Sequence, residues 1–149
     1  PWGVSESAYN AVDAAQNYQY HAFGVPGLGL RRGLADDAVV APYATVLALM
    51  VDLTAAVANL ERFSADGVLG RQGYFEAIDY TPARLKHGER RAIIRSHMAH
   101  HQGMSLLALD SLLCGQPMQR RFTADPLCQA TLLLLQERIP QAPALRRDL

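Results

Sequence analysis

Two glutamates, Glu6 and Glu76, stand beside aromatic residues in segments that lack the periodic apolar pattern of core elements. Glu6 lies near Trp2 and Tyr9, and Glu76 lies near Tyr74. Aromatic rings stack on the apolar faces of pyranose sugars, and a pair of carboxylates supplies an acid together with a nucleophile or base for glycosidic bond cleavage. The two segments therefore point to carbohydrate chemistry.

Each glutamate also has a plain structural interpretation. Glu6 stands between two serines and would suit the first turn of a helix, where a carboxylate complements the helix dipole. Glu76 and Asp79 would also fit a solvated loop as ordinary surface acids. The residues alone leave both alternatives open.

Three histidines, His97, His100 and His101, have the i, i+3, i+4 spacing that can chelate zinc on a helix. No cysteine or carboxylate stands at ligand spacing beside them, and the segment departs from the H-E-x-x-H pattern. The sequence therefore predicts no metal and no cofactor. Two roles remain open: hydrogen bonding of sugar or of the carboxylate loop by His100, His101 or Gln102, or a histidine that is satisfied in the protein interior.

The composition narrows the class of protein. The chain has 149 residues, half of them hydrophobic, and 14 basic residues balance 14 acidic ones. Nucleic-acid binding would show as a basic excess, so it is not expected. No apolar run approaches the roughly 18 residues of a membrane span.

The elements that would position these side chains are predicted to be helices. Pro42 suits a first helical turn, Asp52 or Thr54 suits a helix cap, and Gly67 suits a helix end. A short helix is predicted around residues 7–17, and residues 67–90 are predicted to be a loop. The main predicted helices lie near 42–51, 54–65, 92–113 and 125–138. The resulting expectation is an all-α fold, with a disordered tail at residues 141–149.

Six segments, taken together, resemble a known family. They are WGVSESAYN, YQYHAFGVPGLGLRRGL, VVAPYATVLALM, GYFEAIDYTP, SHMAHHQGMSLLALD and LLLQERIP. In this order they are similar to the glycoamylase-like, transglycosylating domain of NdvB-type cyclic β-1,2-glucan synthases. The resemblance implies that residues 1–140 are the carboxy-terminal portion of an (α/α)6 barrel, built from helical hairpins with long functional loops.

The resemblance also implies an activity and a site. The family domain cyclises linear β-1,2-glucan by retaining transglycosylation, so Glu6 and Glu76 become the candidate catalytic pair, with carboxyls about 5 Å apart. Alternatively, one catalytic carboxylate precedes Pro1 and Glu6 binds sugar hydroxyls. The candidate substrate-binding residues are Trp2, Tyr9, Arg32, Tyr74, Asp79, Tyr80, His100, His101 and Gln102.

The same resemblance implies a cellular and molecular context. The chain opens at Pro1 without a methionine and is expected to be a fragment, inactive alone, of an enzyme embedded in the bacterial inner membrane and acting at its cytoplasmic face. Helix faces left without partners would make it a homo-oligomer. The alternatives are a glucan-binding module, a self-associating helical piece, and a related β-1,2-glucan hydrolase.

Overall fold

The structure is a computed structural model that describes residues 1–24, 36–132 and 134. The chain divides into two units, Pro1–Gly115 and Gln116–Leu149. The first unit contains all the predicted site residues.

A three-stranded antiparallel sheet lies at the centre of the first unit. Its strands are β3 (Val39–Val40), β6 (Ala77–Asp79) and β7 (Ala92–Ile94), with β6 in the middle. Successive side chains of a strand point to opposite faces, so the sheet separates two apolar clusters. One contains Ala8, Phe23, Val39, Ala41, Tyr43, Ala77 and Ile94; the other contains Val40, Phe63, Val68 and Ile78.

A hairpin of β1 (Glu6–Val12) and β2 (Tyr18–Ala22) packs near this sheet. Its turn is built by Asp13, whose carboxylate accepts hydrogen bonds from the backbone N–H groups of Ala15 and Asn17. Gln16 takes the left-handed conformation, with φ of 64°, that the turn requires. Glu6 pairs with Ala22 at the opposite end of the hairpin from this turn.

The described part of the first unit also contains three α-helices. Helix α1 (Pro42–Ala48) starts at a proline, and α2 (Leu53–Ala65) is capped by Asp52, whose side chain accepts from the Ala55 N–H. Gly67 follows α2 with φ of +78°, the left-handed conformation that ends helices. Helix α3 (Ala99–Leu113) packs on α1.

Two short strands, β4 (Leu69–Gly70) and β5 (Gly73–Tyr74), pair after α2, and a 3₁₀ helix spans Pro82–Arg84. The second unit contains α4 (Pro117–Thr123) and α5 (Pro126–Leu132). Among the described residues, no helix is both long and apolar enough to cross a membrane.

The all-α prediction, and with it the purely helical toroid, is wrong. Of the described residues, 43% are helical and 20% are in strands, which form three small antiparallel sheets. The segment predicted as a helix near 7–17 is the β1–β2 hairpin, and the predicted loop contains β4, β5 and β6. Residues 92–94 form a strand, so the helix predicted from residue 92 begins only at Ala99. Most residues beyond Leu132, including the predicted tail, lie outside the described residues.

Candidate active site

Glu76 lies just before β6, where the chain enters the central sheet. Its residue surface is only 3% exposed, and its Oε1 accepts the Ala8 N–H of β1 at 3.3 Å. A buried carboxylate needs such partners because desolvation penalises its charge. The Glu76 side chain is thus held between the hairpin and the sheet.

His101 is the closest side-chain partner of this carboxylate. Its Nδ1 lies 2.8 Å from Glu76 Oε1, an ion-pair distance whose angles fall outside those of a regular hydrogen bond. The ring is fully buried and stacks on Tyr43, with ring centroids 3.7 Å apart. His101 is therefore fixed by α1 on one side and faces Glu76 on the other.

Glu6, at the start of β1, lies close to His100 and His101. The Tyr20 hydroxyl lies 3.2 Å from Nε2 of both His100 and His101. Burial raises the pKa of the Tyr20 hydroxyl. The negative charge of Glu6 and a hydrogen bond between Tyr20 and Glu6 raise this pKa further, and the charge of Glu76 adds to the effect. One oxygen of Glu6 and one ring nitrogen of each histidine all lie within 4.8 Å of one another.

The two glutamates therefore meet around one buried imidazole. Glu76 is buried and contacts Nδ1 of His101, whereas Glu6 is exposed and lies near Tyr20 and His100. The hairpin brings in Glu6, the central sheet brings in Glu76, and α3 brings in both histidines. His101 is thus the residue that has both carboxylates in its neighbourhood.

A cavity of about 280 Å³ opens beside Glu76, His101 and Gln102. Its volume is close to that of small ligand pockets. The other lining side chains are mostly apolar and come from α1, α2, β5 and α3. Tyr74 contributes its ring to the wall, while its hydroxyl donates to the Leu60 carbonyl at 3.0 Å and pairs with Ser64.

Asp79 is held in place by protein donors and supports the fold. It is fully buried, and its carboxylate accepts two hydrogen bonds from Arg84, one from the Asn10 N–H and one from the Thr81 N–H. Burial alone would raise the pKa of Asp79, but these hydrogen bonds hold it below its usual value. The Asp79 carboxylate is thus engaged by donors of the protein itself, as expected of a structural residue.

The remaining predicted binding residues are spread over the first unit. Trp2 exposes 39% of its surface, and its backbone is held by Asn59 and Thr45. Tyr9 has the Arg84 guanidinium 4.8 Å above its ring. Tyr80 lines a different cavity, with Lys86, His87 and Arg90 among its neighbours. Arg32 lies outside the described residues.

Two side chains that the structure places at the site were not among the site residues predicted from the sequence. In the sequence, Tyr20 and Tyr43 look like ordinary core aromatics. In the structure, the Tyr20 hydroxyl contacts both histidines and the Tyr43 ring stacks on His101. The Tyr43 hydroxyl also donates to the Glu6 carbonyl at 3.0 Å. The polar neighbours of Tyr20 in YQYHA were the only local signal for its role.

A buried carboxylate beside a cavity that includes aromatic side chains, with a second carboxylate close to the same histidine, is compatible with carbohydrate chemistry. The chain belongs to the Glycoamylase family, described as "Putative glucoamylase", which matches residues 1–126.

A similar protein is the cyclic β-(1,2)-glucan synthase NdvB of Rhizobium meliloti (strain 1021), which is 48% identical over 141 residues. That match covers 95% of this chain and 5% of NdvB, so the chain spans about one-twentieth of the relative's length. The family resemblance seen in the sequence is confirmed.

Proposed function

We propose that this chain carries the catalytic carboxylates of a β-1,2-glucan transglycosylase within a cyclic β-1,2-glucan synthase. The observation that carries the proposal is the meeting of Glu6 and Glu76 around His101. The similarity to NdvB supports the choice of substrate, because NdvB is a cyclic β-(1,2)-glucan synthase. Because the chain matches only 5% of NdvB, the proposed activity is that of a larger enzyme that carries it.

The proposed reaction has two steps. One carboxyl protonates the leaving glycosidic oxygen while the other attacks the anomeric carbon, giving a covalent glycosyl-enzyme and a free sugar hydroxyl. The first group, now a carboxylate, then removes the proton from the 2-hydroxyl at the other end of the same glucan. That oxygen displaces the enzyme carboxylate, restores the β-1,2 linkage and closes the ring.

The protein supports these steps in three ways. His101 and the Ala8 N–H restrict Glu76 to one position, which lowers the entropy cost of reaching the reactive geometry. Tyr20, His100 and Gln102 are proposed to bind sugar hydroxyls near the pair. Trp2, Tyr9, Arg32, Tyr74, Asp79 and Tyr80 were also predicted to bind substrate; of these, Tyr74 lines the cavity and is retained in the proposal.

We place the larger enzyme at the bacterial inner membrane, with this part at the cytoplasmic face. The basis is the family resemblance together with the bacterial origin of NdvB. Fractionation with an antibody against this chain, combined with protease protection of inverted vesicles, tests the placement. Protection in right-side-out vesicles and cleavage in inverted ones is the expected result, and the opposite pattern would rule it out.

The test of the chemistry uses Glu76→Gln and Glu6→Gln in the glucan synthase that carries this chain. Glutamine keeps the shape and removes both charge and acid, so cyclisation of linear β-1,2-glucan should fall at least about a thousandfold, equal to about 4 kcal/mol. Glu61→Gln is the matched control, because Glu61 lies exposed on α2. Product analysis by mass separates cyclic glucan from hydrolysed linear chains.

Three results are informative. Loss of cyclisation in both variants with glucan binding retained supports the pair. Near-normal cyclisation in Glu76→Gln contradicts the proposal outright. Weakened binding with normal turnover in Glu6→Gln assigns Glu6 to sugar binding and places the second carboxylate elsewhere in the enzyme.

A further inference from the structure

We propose that Glu6, His100 and His101 also form a binding site for a divalent transition-metal ion of the zinc type, and that its occupation closes the carbohydrate site. The second half of the proposal rests on the proposed function of Glu6. The first half rests on the geometry of the three side chains alone.

The donor set is the first argument. Two imidazoles and one carboxylate are a common protein ligand set for zinc sites that keep a fourth position open. Tetrahedral bonds of about 2.0–2.1 Å place the ligand atoms about 3.4 Å apart. The donor atoms of the three residues already lie within 4.8 Å of one another. Glu6 and His100 are both exposed, so small rotamer changes can close the remaining gap.

The orientation of His101 is the second argument. Histidines that bind metals almost always present their other ring nitrogen to a carboxylate or carbonyl, which fixes the tautomer and raises the basicity of the ligand. Glu76 Oε1 lies 2.8 Å from Nδ1 of His101, which is the right pair of groups at the right distance, and a small rotation would bring the angles to those of a hydrogen bond. A proton on Nδ1 leaves the Nε2 lone pair as the acceptor of the Tyr20 hydroxyl at 3.2 Å, and a bound ion would replace this hydrogen bond. Stacking on Tyr43 holds the ring in this orientation.

The surroundings suit a cation. Glu6 contributes one carboxylate to the cluster, and Glu76 places a second one at the other ring nitrogen of His101. The Tyr20 hydroxyl, 3.2 Å from both Nε2 atoms, stands close to the position of a fourth ligand. A sequence search for metal motifs misses the site because its carboxylate comes from β1, far along the chain from α3.

Metal binding and catalysis would compete for Glu6. A glutamate that coordinates zinc is unavailable as nucleophile, acid or base. Zinc is therefore expected to inhibit cyclisation reversibly, with recovery on addition of a chelator.

The experiment titrates Zn²⁺ alone into the 149-residue chain by calorimetry and follows Co²⁺ by visible absorption, which reports tetrahedral coordination. We expect one ion per chain. Glu6→Gln and His100→Ala should each weaken binding at least about a hundredfold, and Glu76→Gln should weaken it about 10–100-fold by releasing His101. His87→Ala is the matched control, since His87 is an exposed histidine of another loop. Circular dichroism confirms that each variant is folded.

Absence of a one-to-one site, or equal affinities for His100→Ala and His87→Ala, overturns the metal site. Zinc binding with unimpaired cyclisation overturns its effect on the carbohydrate site. The two proposals fail separately: full cyclisation by Glu6→Gln would refute the catalytic role even if zinc binds, and loss of cyclisation without zinc binding would refute only the metal site.

Discussion

Replacing Asp79 with asparagine should destabilise the fold by about 3 kcal/mol at neutral pH. The Asp79 carboxylate accepts Arg84 Nε at 2.7 Å, Arg84 Nη2 at 3.1 Å, and the N–H groups of Asn10 and Thr81 at 2.9 Å each. An asparagine has one acceptor oxygen, and its NH₂ group would face donors. Breaking a buried ion pair costs about 3–5 kcal/mol. The lower end applies because Asp37 continues to pair with Arg84.

The loss should depend on pH in a defined direction. Burial acts to raise the pKa of Asp79, but hydrogen bonds from Arg84 and the backbone lower it below the unfolded value of about 3.9. A lowered folded pKa contributes stability that is fully present above the unfolded pKa and is lost as pH falls through the folded pKa. The difference between wild type and Asp79→Asn should therefore be constant near pH 7 and shrink below about pH 4.

Urea denaturation followed by circular dichroism measures this difference at several pH values. Asp52→Asn is the matched control: Asp52 is exposed, and asparagine caps a helix about as well as aspartate. Ordinary surface substitutions change the free energy of unfolding by up to about 0.5 kcal/mol. If Asp79→Asn differs from wild type by no more than that at pH 7, the assigned role of Asp79 is refuted. A difference that stays constant into acid would refute its electrostatic origin.

Two further predictions concern the backbone and the surface. Gly3→Ala should cost at least about 2 kcal/mol in thermal unfolding, because Gly3 has φ of +135° and a Cβ there would lie 2.7 Å from the Ala41 carbonyl oxygen. Gly103→Ala, in a helix with open space around it, should instead stabilise by about 0.5–1 kcal/mol, and equal effects at both glycines would contradict this reasoning. Self-association is expected because Leu107 and Leu113 of α3 are 55% and 77% exposed. Light scattering should show oligomers that Leu107→Lys with Leu113→Lys reduces to monomers, whereas a wild-type monomer at high concentration would remove the idea.

The sequence predicts best where the signals are local. Pro42 at the start of α1, Asp52 as the cap of α2 and Gly67 after its end act within one turn of chain, and the structure has all three. The strands of the central sheet were missed because their partners are distant. The two residues of β3 pair with β6, and such short strands carry too little alternation to separate from loop. The apolar run at 92–94 fits a strand or a helix equally well.

The candidate site, too, was predictable from local signals and not from contacts between distant segments. Aromatic neighbours and the family resemblance singled out Glu6 and Glu76, and the structure brings both to His101. The burial of His101 and the engagement of Asp79 with Arg84 depend on packing between elements far apart in sequence. Residue type alone left a structural role and a binding role open for both. Only the fold shows that one faces a carboxylate and the other supports the sheet.

The contacts that join Glu76 to Ala8 and Tyr20 to His101 bridge 68 and 81 residues of chain. Closing such long loops costs entropy before any contact compensates for it, so contacts of this range form slowly and late in folding. The α1–α2 hairpin, by contrast, is local. A nascent chain that ends before α3 therefore holds Glu6 and Glu76 without the imidazole between them. The order of synthesis itself thus separates production of the two glutamates from the appearance of the cluster that they form with His101.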